Sequence, residues 1–531
     1  MKVSDVIINC LEAEGVEYIF GMVGKETLDL ADSLSNSTQI QFVNVRHEQG
    51  AAFMADVYGR LSKKAGVCLS TLGPGASNLL TGIASSKLDH SPVIGLIGQA
   101  AVERNHAESH QYIDIVKLFE PVTKWSTQMM DSLTAPTIIR KAFRLAQMEK
   151  PGSAAIVLPE NFLTQEISKK PLPTPPLPET VPVMETLKAA INLIQTHKKP
   201  FIIVGNGVLR HDTVLEFQTF INTLKAPVTH SFMAKGILEK EHPSNYFTFG
   251  FTENDEVLPG IQEADLIITI GFDFVEQLPK KWNESKTPVL HIDTLPAEIN
   301  EYYPVKIECV GNIKQTLQSL NQLGLPDKSW APYGNLKEKI RSAYQINPSQ
   351  SETINPPFTI EQILHCIENV TSENTIVISD VGAHKVAIAR TYQPKQPNRL
   401  IMSNGLASMG IAIPGGIGAK LACPQDPVIC ITGDGGALMN FAEIETAKRL
   451  GLSFIIIILN DSMLKLEVQQ MNKRFGGSYG VTFGNPDYVQ LAASFGIKGQ
   501  KVGNLAEFES VIKVFLQTQE EIFLIEVCIP N

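Results

Sequence analysis

Two aspartates at matching places in the chain carry the clearest chemical signal. Gly433-Asp434-Gly435-Gly436 follows the apolar run 428–432, and Asn460-Asp461 ends the apolar run 454–459. Between them, residues 441–450 are rich in Ala, Glu and Lys and predict one helix. The order is strand, small-residue turn with Asp, helix, strand with Asp. It sets two carboxylates outside the carboxyl ends of parallel strands, where open α/β sheets bind ligands. Beside glycines that let a backbone come close, such a pair suits a hard divalent cation holding a diphosphate. Asp-Gly alone is an ordinary turn, so the order of the parts carries the reading.

A third carboxylate lies near the other end of the chain. In Val45-Arg46-His47-Glu48-Gln49-Gly50, Glu48 stands where a strand ends and a helix begins. A helix N-terminus favours an acid, so plain capping is one reading of Glu48. Thr71-Leu72-Gly73-Pro74-Gly75-Ala76-Ser77-Asn78 and Gly21-Met22-Val23-Gly24 also follow strands. Three strand-end loops short of bulky side chains would make a mouth open to a flat ligand.

These residues need parallel sheets to hold them. Strands are predicted at 18–20, 41–45, 67–70, 93–97 and 154–158, with helices at 4–14, 27–35, 48–62, 76–86 and 135–148. The last segment repeats the rhythm with strands at 375–379, 428–432, 454–459 and 522–527, and the middle one with strands at 200–204, 266–270 and 289–292. The proline-dense stretch 169–178 reads as an extended linker. A second break, 327–357, carries Pro332, Pro348, Pro356 and Pro357 and a short helix near 336–344. The expected fold class is α/β, with three doubly wound parallel-sheet domains at 1–168, 183–326 and 355–531. In the middle one, Gly205-Asn206-Gly207 lacks the third glycine of a dinucleotide loop, since position 210 is Arg, and reads as a tight turn.

Composition narrows the class. Apolar content of 44% and 19% charge describe a soluble globular chain, and a net charge of −10 without a basic stripe speaks against nucleic-acid binding. The seven cysteines form no C-x-x-C pair, which fits a reducing, cytoplasmic compartment. Residues 1–15 carry Asp5, Glu12 and Glu14 and predict an amphipathic helix rather than a signal peptide. No apolar run is long enough for a bilayer, so no membrane partner is expected.

Several motifs go together. They are Arg46-His47-Glu48-Gln49-Gly50-Ala51-Ala52, Gly73-Pro74-Gly75-Ala76-Ser77-Asn78, Pro121-Val122-Thr123-Lys124, Pro151-Gly152-Ser153-Ala154 and Leu158-Pro159, with Gly433-Asp434-Gly435 and Asp461 downstream. On these the chain resembles thiamin-diphosphate-dependent enzymes of the acetolactate synthase/pyruvate oxidase group over nearly its whole length. The resemblance implies a pyrimidine-binding first domain, a central Rossmann-like domain and a diphosphate-binding last domain. The middle segment is similar to the catabolic, flavin-independent acetolactate synthases. Ile270-Gly271-Phe272-Asp273-Phe274-Val275-Glu276 stands where flavin-containing members carry an Arg-Phe-Asp-Asp-Arg-like run. Glu298-Ile299-Asn300-Glu301-Tyr302-Tyr303 and Gly311-Asn312-Ile313 match the flavin-free type, so FAD is not expected.

The resemblance also implies roles. Glu48 would hydrogen-bond the cofactor's pyrimidine ring and promote its amino–imino switch. Gly24, Pro74 and Asn78 would line that end. Met409, in Ser403-Asn404-Gly405-Leu406-Ala407-Ser408-Met409-Gly410, would prop the cofactor into its bent shape beside Leu406; an ordinary core Met is the plainer reading. Asp434, Asp461 and the Met463 carbonyl would bind Mg2+. Val381, Gly382, Ala383 and His384, with Gly433, Gly435, Gly436 and Ala437, would cradle the diphosphate, and Leu464 and Leu466 would complete the contacts. Glu48 and the Gly433 motif meet across a subunit boundary in this family, which implies a homodimer with its active site at the interface, doubled to a homotetramer.

The implied activity is a transferase reaction: an acetolactate synthase condensing two pyruvates to 2-acetolactate with loss of carbon dioxide. His110-Gln111 matches a polar pair lining the substrate pocket; a surface His is the alternative. Val23 stands where the family usually has Pro, and Lys25 follows the glycine that faces substrate. Glu467 falls where synthases usually place an aliphatic residue and where pyruvate-decarboxylase-like enzymes carry a catalytic Glu; Gln470 replaces a Trp found in synthases preferring 2-oxobutyrate. Glu467 would then donate the proton that ends the reaction at an aldehyde, or simply pair with Lys25 or Lys465, or face solvent. A non-ligating 2-oxo acid decarboxylase, or a carboligase with another acceptor, is therefore the alternative activity. A non-catalytic binding subunit is a third reading, opposed by the intact Glu48, Asp434 and Asp461.

Overall fold

The computed structural model describes residues 1–529 apart from 106, 251–254, 276 and 347–358. Glu276, Pro348, Pro356 and Pro357 thus lie outside the described residues. The described residues form three six-stranded sheets, and the chain divides into two compact units. One unit comprises Met1–Leu177, Ser403–Lys501 and Thr518–Glu526; the other comprises Pro178–Met402, Val502–Gln517 and Val527–Asn531. The division after Leu177 falls inside the proline-dense stretch, which has no regular structure.

The first sheet contains β1 (Tyr18–Gly21), β2 (Gln41–Asn44), β3 (Gly66–Ser70), β4 (Val93–Gln99), β5 (Trp125–Gln128) and β6 (Ser153–Pro159), in the order β2-β1-β3-β4-β6-β5. All its pairs are parallel. The chain winds one way from β1 to β2 and the other way from β3 onward, so the switch point lies between β1 and β3. The second sheet, in the other unit, holds β7 (Pro200–Val204), β8 (Val228–His230), β9 (Asn245–Thr248), β10 (Leu266–Ile270), β11 (Val289–Asp293) and β12 (Val305–Val310). Its order, β12-β11-β10-β7-β8-β9, is the same doubly wound pattern. Here the switch crevice is closed by backbone. A Cβ on Gly205 would lie 2.3 Å from Gly271 O, and one on Gly207 would lie 2.7 Å from Gly271 Cα. The glycines serve close packing, as expected of a tight turn.

The third sheet contains β13 (Ile376–Ser379), β14 (Leu400–Met402), β15 (Val428–Gly433), β16 (Ile455–Asn460), β17 (Lys498–Val502) and β18 (Phe523–Cys528). β15 and β16 pair in parallel with Gly433 opposite Leu459, which puts both aspartates beyond one end of neighbouring strands. The predicted helix at 441–450 is found as Glu443–Arg449, and a further short helix, Asp434–Met439, precedes it. The break is at Asn440, whose side chain donates to Gly410 O at 2.8 Å. Asn readily trades helix geometry for such a bond.

Helix Glu48–Ser62 organises the first unit. Every residue from Gly50 to Gly59 is buried. It packs against helices Pro74–Leu88 and Ala412–Ala422. Both neighbours come close because they present glycine: a Cβ on Gly82 would lie 2.4 Å from Ala52 Cβ, and one on Gly418 would lie 2.4 Å from Met54 O. Two charges sit inside this packing. Arg60 donates to Asp56 at 2.8 and 2.9 Å and to Asp89 at 2.7 Å. Burial works against the Arg60 charge, but the two carboxylates overcome it and hold its pKa above the ordinary value.

Gly418→Ala is expected to destabilise the protein by about 1–3 kcal/mol, because the neighbour it would strike is backbone. Gly477→Ala, in open space, should change stability by less than about 0.5 kcal/mol. Denaturant midpoints of the two variants check both.

Candidate active site

The first sheet's switch point gathers the three predicted loops. A Cβ on Gly24 would lie 2.5 Å from Thr71 Cβ, so the loop after β1 rests on the loop after β3. Thr71 donates to the buried Glu26 at 2.6 Å. Glu48 opens its helix; the N-cap His47 accepts from Gln49 N at 3.1 Å. The Glu48 carboxylate is buried, and its Oε2 accepts from Asn78 Nδ2 at 2.9 Å. A Cβ on Gly75 would stand 3.2 Å from Glu48 Oε1 and 3.1 Å from Thr71 Cγ2. Glu48, Asn78 and the Pro74 turn are therefore one cluster.

Gly73 has φ +58° and ψ −116°, a conformation that L side chains avoid. A Cβ there would also meet Gln111 O at 2.8 Å, which brings the His110-Gln111 loop against the same turn. Arg104 secures that loop, donating to Ser109 Oγ at 2.8 Å and His110 O at 3.1 Å. His110, Gln111 and Lys25 are exposed in this chain.

The second cluster lies at the ends of β15 and β16. Asp434 is 2% exposed and starts its helix. Its Oδ1 accepts from Gly435 N at 2.8 Å; its Oδ2 accepts from Ser462 N at 2.6 Å and Asn485 Nδ2 at 2.7 Å. Ser462 takes φ +57°, a strained conformation that turns residues 461–464 back toward Asp434. Residues 481–483 pin that turn: Leu464 N donates to Val481 O at 2.8 Å, and Phe483 N to Ser462 O at 3.1 Å. The Asp461 Oδ1 accepts from Met463 N at 3.3 Å, and Lys465 Nζ lies 3.7 Å from Oδ2. Burial first, and then the neighbouring Asp434 charge, push the Asp461 pKa up. Two carboxylates that feel each other, with backbone carbonyls and Asn oxygens nearby, form an all-oxygen donor set suited to Mg2+. No cluster of three or more His, Cys, Asp or Glu able to hold a metal occurs among the described residues.

Met409 joins this cluster, since a Cβ on Gly435 would lie 3.4 Å from Met409 Cε. It is half-buried, and Leu406 beside it is exposed, so neither is ordinary core. In the other unit, Gly382 (φ +154°) and Ala383 lead into helix Ala383–Arg390. His384 is buried, its Nε2 has no partner, and burial lowers its pKa to about 4. A neutral imidazole with an orphaned buried nitrogen fits a cradle that awaits a polar group. Glu467 is exposed in the first turn of helix Lys465–Phe475, no residue of which is buried.

Sequence reasoning missed Asn485, which bonds Asp434 and Asn460 together, and Tyr488, which donates to Asp434 O at 3.1 Å. It also missed Glu443, fully buried, which accepts from the backbone N–H groups of Arg46 and His47 at 3.0 and 2.9 Å. A Glu in an Ala-rich helix reads as a solvated face; only the adjacent Gly50, too close for a Cβ, hints otherwise.

A raised Asp461 pKa means that stability falls as pH rises through the window just above the ordinary carboxylate range. Burial and the nearby Asp434 carboxylate both disfavour charge on Asp461. Mg2+ with thiamin diphosphate should therefore raise Tm at pH 7.5, and by less as pH drops toward the carboxylate range, where protons compete. Thermal shift with and without EDTA checks this; no Tm change at pH 7.5 would contradict the donor set.

Comparison with known proteins agrees with this geometry. Family models for the thiamine pyrophosphate enzyme N-terminal TPP binding domain, central domain and C-terminal TPP binding domain match residues 1–118, 187–320 and 380–527. A probable acetolactate synthase large subunit of Methanococcus aeolicus is 33% identical over 99% of this chain and 91% of its own. An acetolactate synthase of Bacillus subtilis is 30% identical over 96% and 90%, and the acetolactate synthase isozyme 3 large subunit of Escherichia coli 30% over 97% and 92%. With three matching domains and near-complete coverage at these identities, the chain belongs to the acetolactate synthase family of thiamine pyrophosphate enzymes.

Proposed function

We propose that this chain is an acetolactate synthase, joining two pyruvates to 2-acetolactate with release of carbon dioxide. The observation that carries the reading is the pair of acidic centres, Glu48 with Asn78 and Asp434 with Asp461, each at the carboxyl ends of parallel strands. Bound thiamin diphosphate would supply the electron sink that decarboxylation and carbon–carbon bond formation require. Asp434, Asp461 and the Met463 carbonyl would hold Mg2+. The residues from Gly433 to Ala437, those from Val381 to His384, and Leu464 and Leu466 would hold the diphosphate. Asn78 engages Glu48 Oε2, and Glu48 would face the pyrimidine end of the cofactor through Oε1. Burial keeps water from competing there. His110 and Gln111 would orient the 2-oxo acid. No flavin enters this reading.

The domain limits we assign are 1–168, 183–326 and 355–531. We also propose a homodimer that builds each site from two chains, doubled to a tetramer. Helix Lys465–Phe475 without a buried residue supports this, as do the exposed Met439, Phe475 and Tyr479, the last 89% exposed. Such apolar surface beside a site suits a partner subunit. None of the seven cysteines is in a disulfide, which supports a cytoplasmic setting, and no helix among the described residues is long and apolar enough to cross a membrane.

The exposed Glu467 and Lys25 favour a second reading, in which a proton from Glu467 ends the reaction at an aldehyde. With pyruvate, Mg2+ and thiamin diphosphate, the synthase reading expects acetolactate as the main product; acetaldehyde alone would overturn it. Glu467→Val then decides the role of that carboxyl: unchanged acetolactate formation favours the synthase, whereas lost aldehyde release favours the decarboxylase. Glu48→Gln should still bind cofactor yet lose about 10²–10⁴ in kcat. Full activity in that variant would show that the carboxyl is not the activator.

A further inference from the structure

The loop carrying Leu406 and Met409 begins on a charge that the reaction as described does not use. Asp89 caps helix Pro74–Leu88, the helix that brings Pro74 and Asn78 to Glu48. It is buried, and its Oδ1 accepts from Asn404 N at 2.9 Å and from Gly405 N at 2.6 Å. Its Oδ2 accepts from Arg60, near the end of the helix that Glu48 begins. Arg60 also holds the fully buried Asp56. The cluster thus contains two carboxylates for one guanidinium, and the two loop N–H groups answer the surplus negative charge. Backbone approach is close: a Cβ on Gly405 would lie 2.4 Å from Leu88 Cβ and 2.7 Å from Leu88 O. Ser85 and Ser403 add a buried hydroxyl contact at 3.1 Å.

The far end of the loop is tied as well. Asn440 donates to Gly410 O, and Gly410 sits at φ +92°. Between the two ties, Ala407 is held at φ +52°. A left-handed alanine persists only where its surroundings over-determine it. The loop is therefore a short span stretched between two clamps, with Met409 aimed at Gly435.

From this geometry we infer that Asp89, braced by Arg60, is a positioning residue. It sets the Leu406–Met409 loop in the one conformation that presents Met409 to the cofactor. The inference rests on the proposed use of thiamin diphosphate at this site. Asp89 touches neither cofactor nor substrate, so its loss should appear in cofactor binding and turnover rather than in pyruvate recognition.

The test uses the full-length protein with Mg2+. Asp89→Asn preserves volume but turns an amide N–H2 toward Arg60 or toward the loop N–H groups. Gly405→Ala pushes the loop off Leu88 without touching the carboxylate. Both should weaken thiamin diphosphate binding about tenfold or more by titration and lower kcat, with KM for pyruvate within about twofold of wild type. Arg140→Met removes a partly buried ion pair with Glu14 in the same unit and serves as a control for lost stability. It should lower Tm yet leave cofactor affinity unchanged. If Asp89→Asn and Gly405→Ala bind cofactor as the wild type does, or lose no more affinity than Arg140→Met at the same Tm loss, the positioning role is overturned. A wild type that binds no thiamin diphosphate would overturn the functional reading and this inference together.

Discussion

The constraint on which the site depends is a helix buried on every face, with charged groups fixed at both of its ends. Glu48–Ser62 lies between two helices that can approach only because they place Gly82 and Gly418 against it. Arg46 and its N-cap His47 are held by Glu443, and its last turn by Arg60 among Asp56 and Asp89. Breaking one partner of a buried charge cluster costs about 3–5 kcal/mol, so neither end slides freely. Glu48 is thereby fixed by packing and by ion pairs, and its position is not left to a mobile loop.

The same unit treats its other acidic centre differently. Asp434 is locked by Ser462, Asn485 and the peptide N–H of Gly435, while burial and its neighbour disfavour charge on Asp461. Two neighbouring carboxylates, one held rigidly and the other with its charge disfavoured, suit a cation. Beyond it, helix Lys465–Phe475 buries nothing of its own. Pre-set chemistry thus adjoins a surface that the isolated chain leaves uncovered, as expected where a second subunit completes the pocket.

The central strands and both acidic centres were legible in the sequence because central parallel strands are continuous apolar runs ending in glycine and acid. β10 runs Leu266–Ile270 without a polar break except Thr269, and β7 matches its predicted bounds. The missed strands are mostly edges or very short. β5, β9 and β12 border their sheets, and β12 alternates half-buried and exposed residues, so no apolar run announces them. The helix at 441–450 was legible, whereas the short helix Asp434–Met439 before it was not; it ends at Asn440, which bonds to Gly410, a partner remote in sequence. The same holds for the clamps. Glu443, Asp89 and Arg60 are ordinary surface residues in any local window; distant backbone N–H groups hold Glu443 and Asp89, and the Asp56 and Asp89 carboxylates hold Arg60.

The central claim is that Glu48 and the Asp434–Asp461 pair serve one cofactor from two different chains. Subunit complementation tests it most directly. Glu48→Gln and Asp434→Ala proteins, each inactive alone, are mixed, dissociated and reassociated, and acetolactate formation is measured. If sites form between chains, each hybrid dimer regains one intact site, and activity returns to a substantial fraction of wild type. If hybrids form and remain as inactive as the parents, each site lies within a single chain, and the shared-site account is wrong.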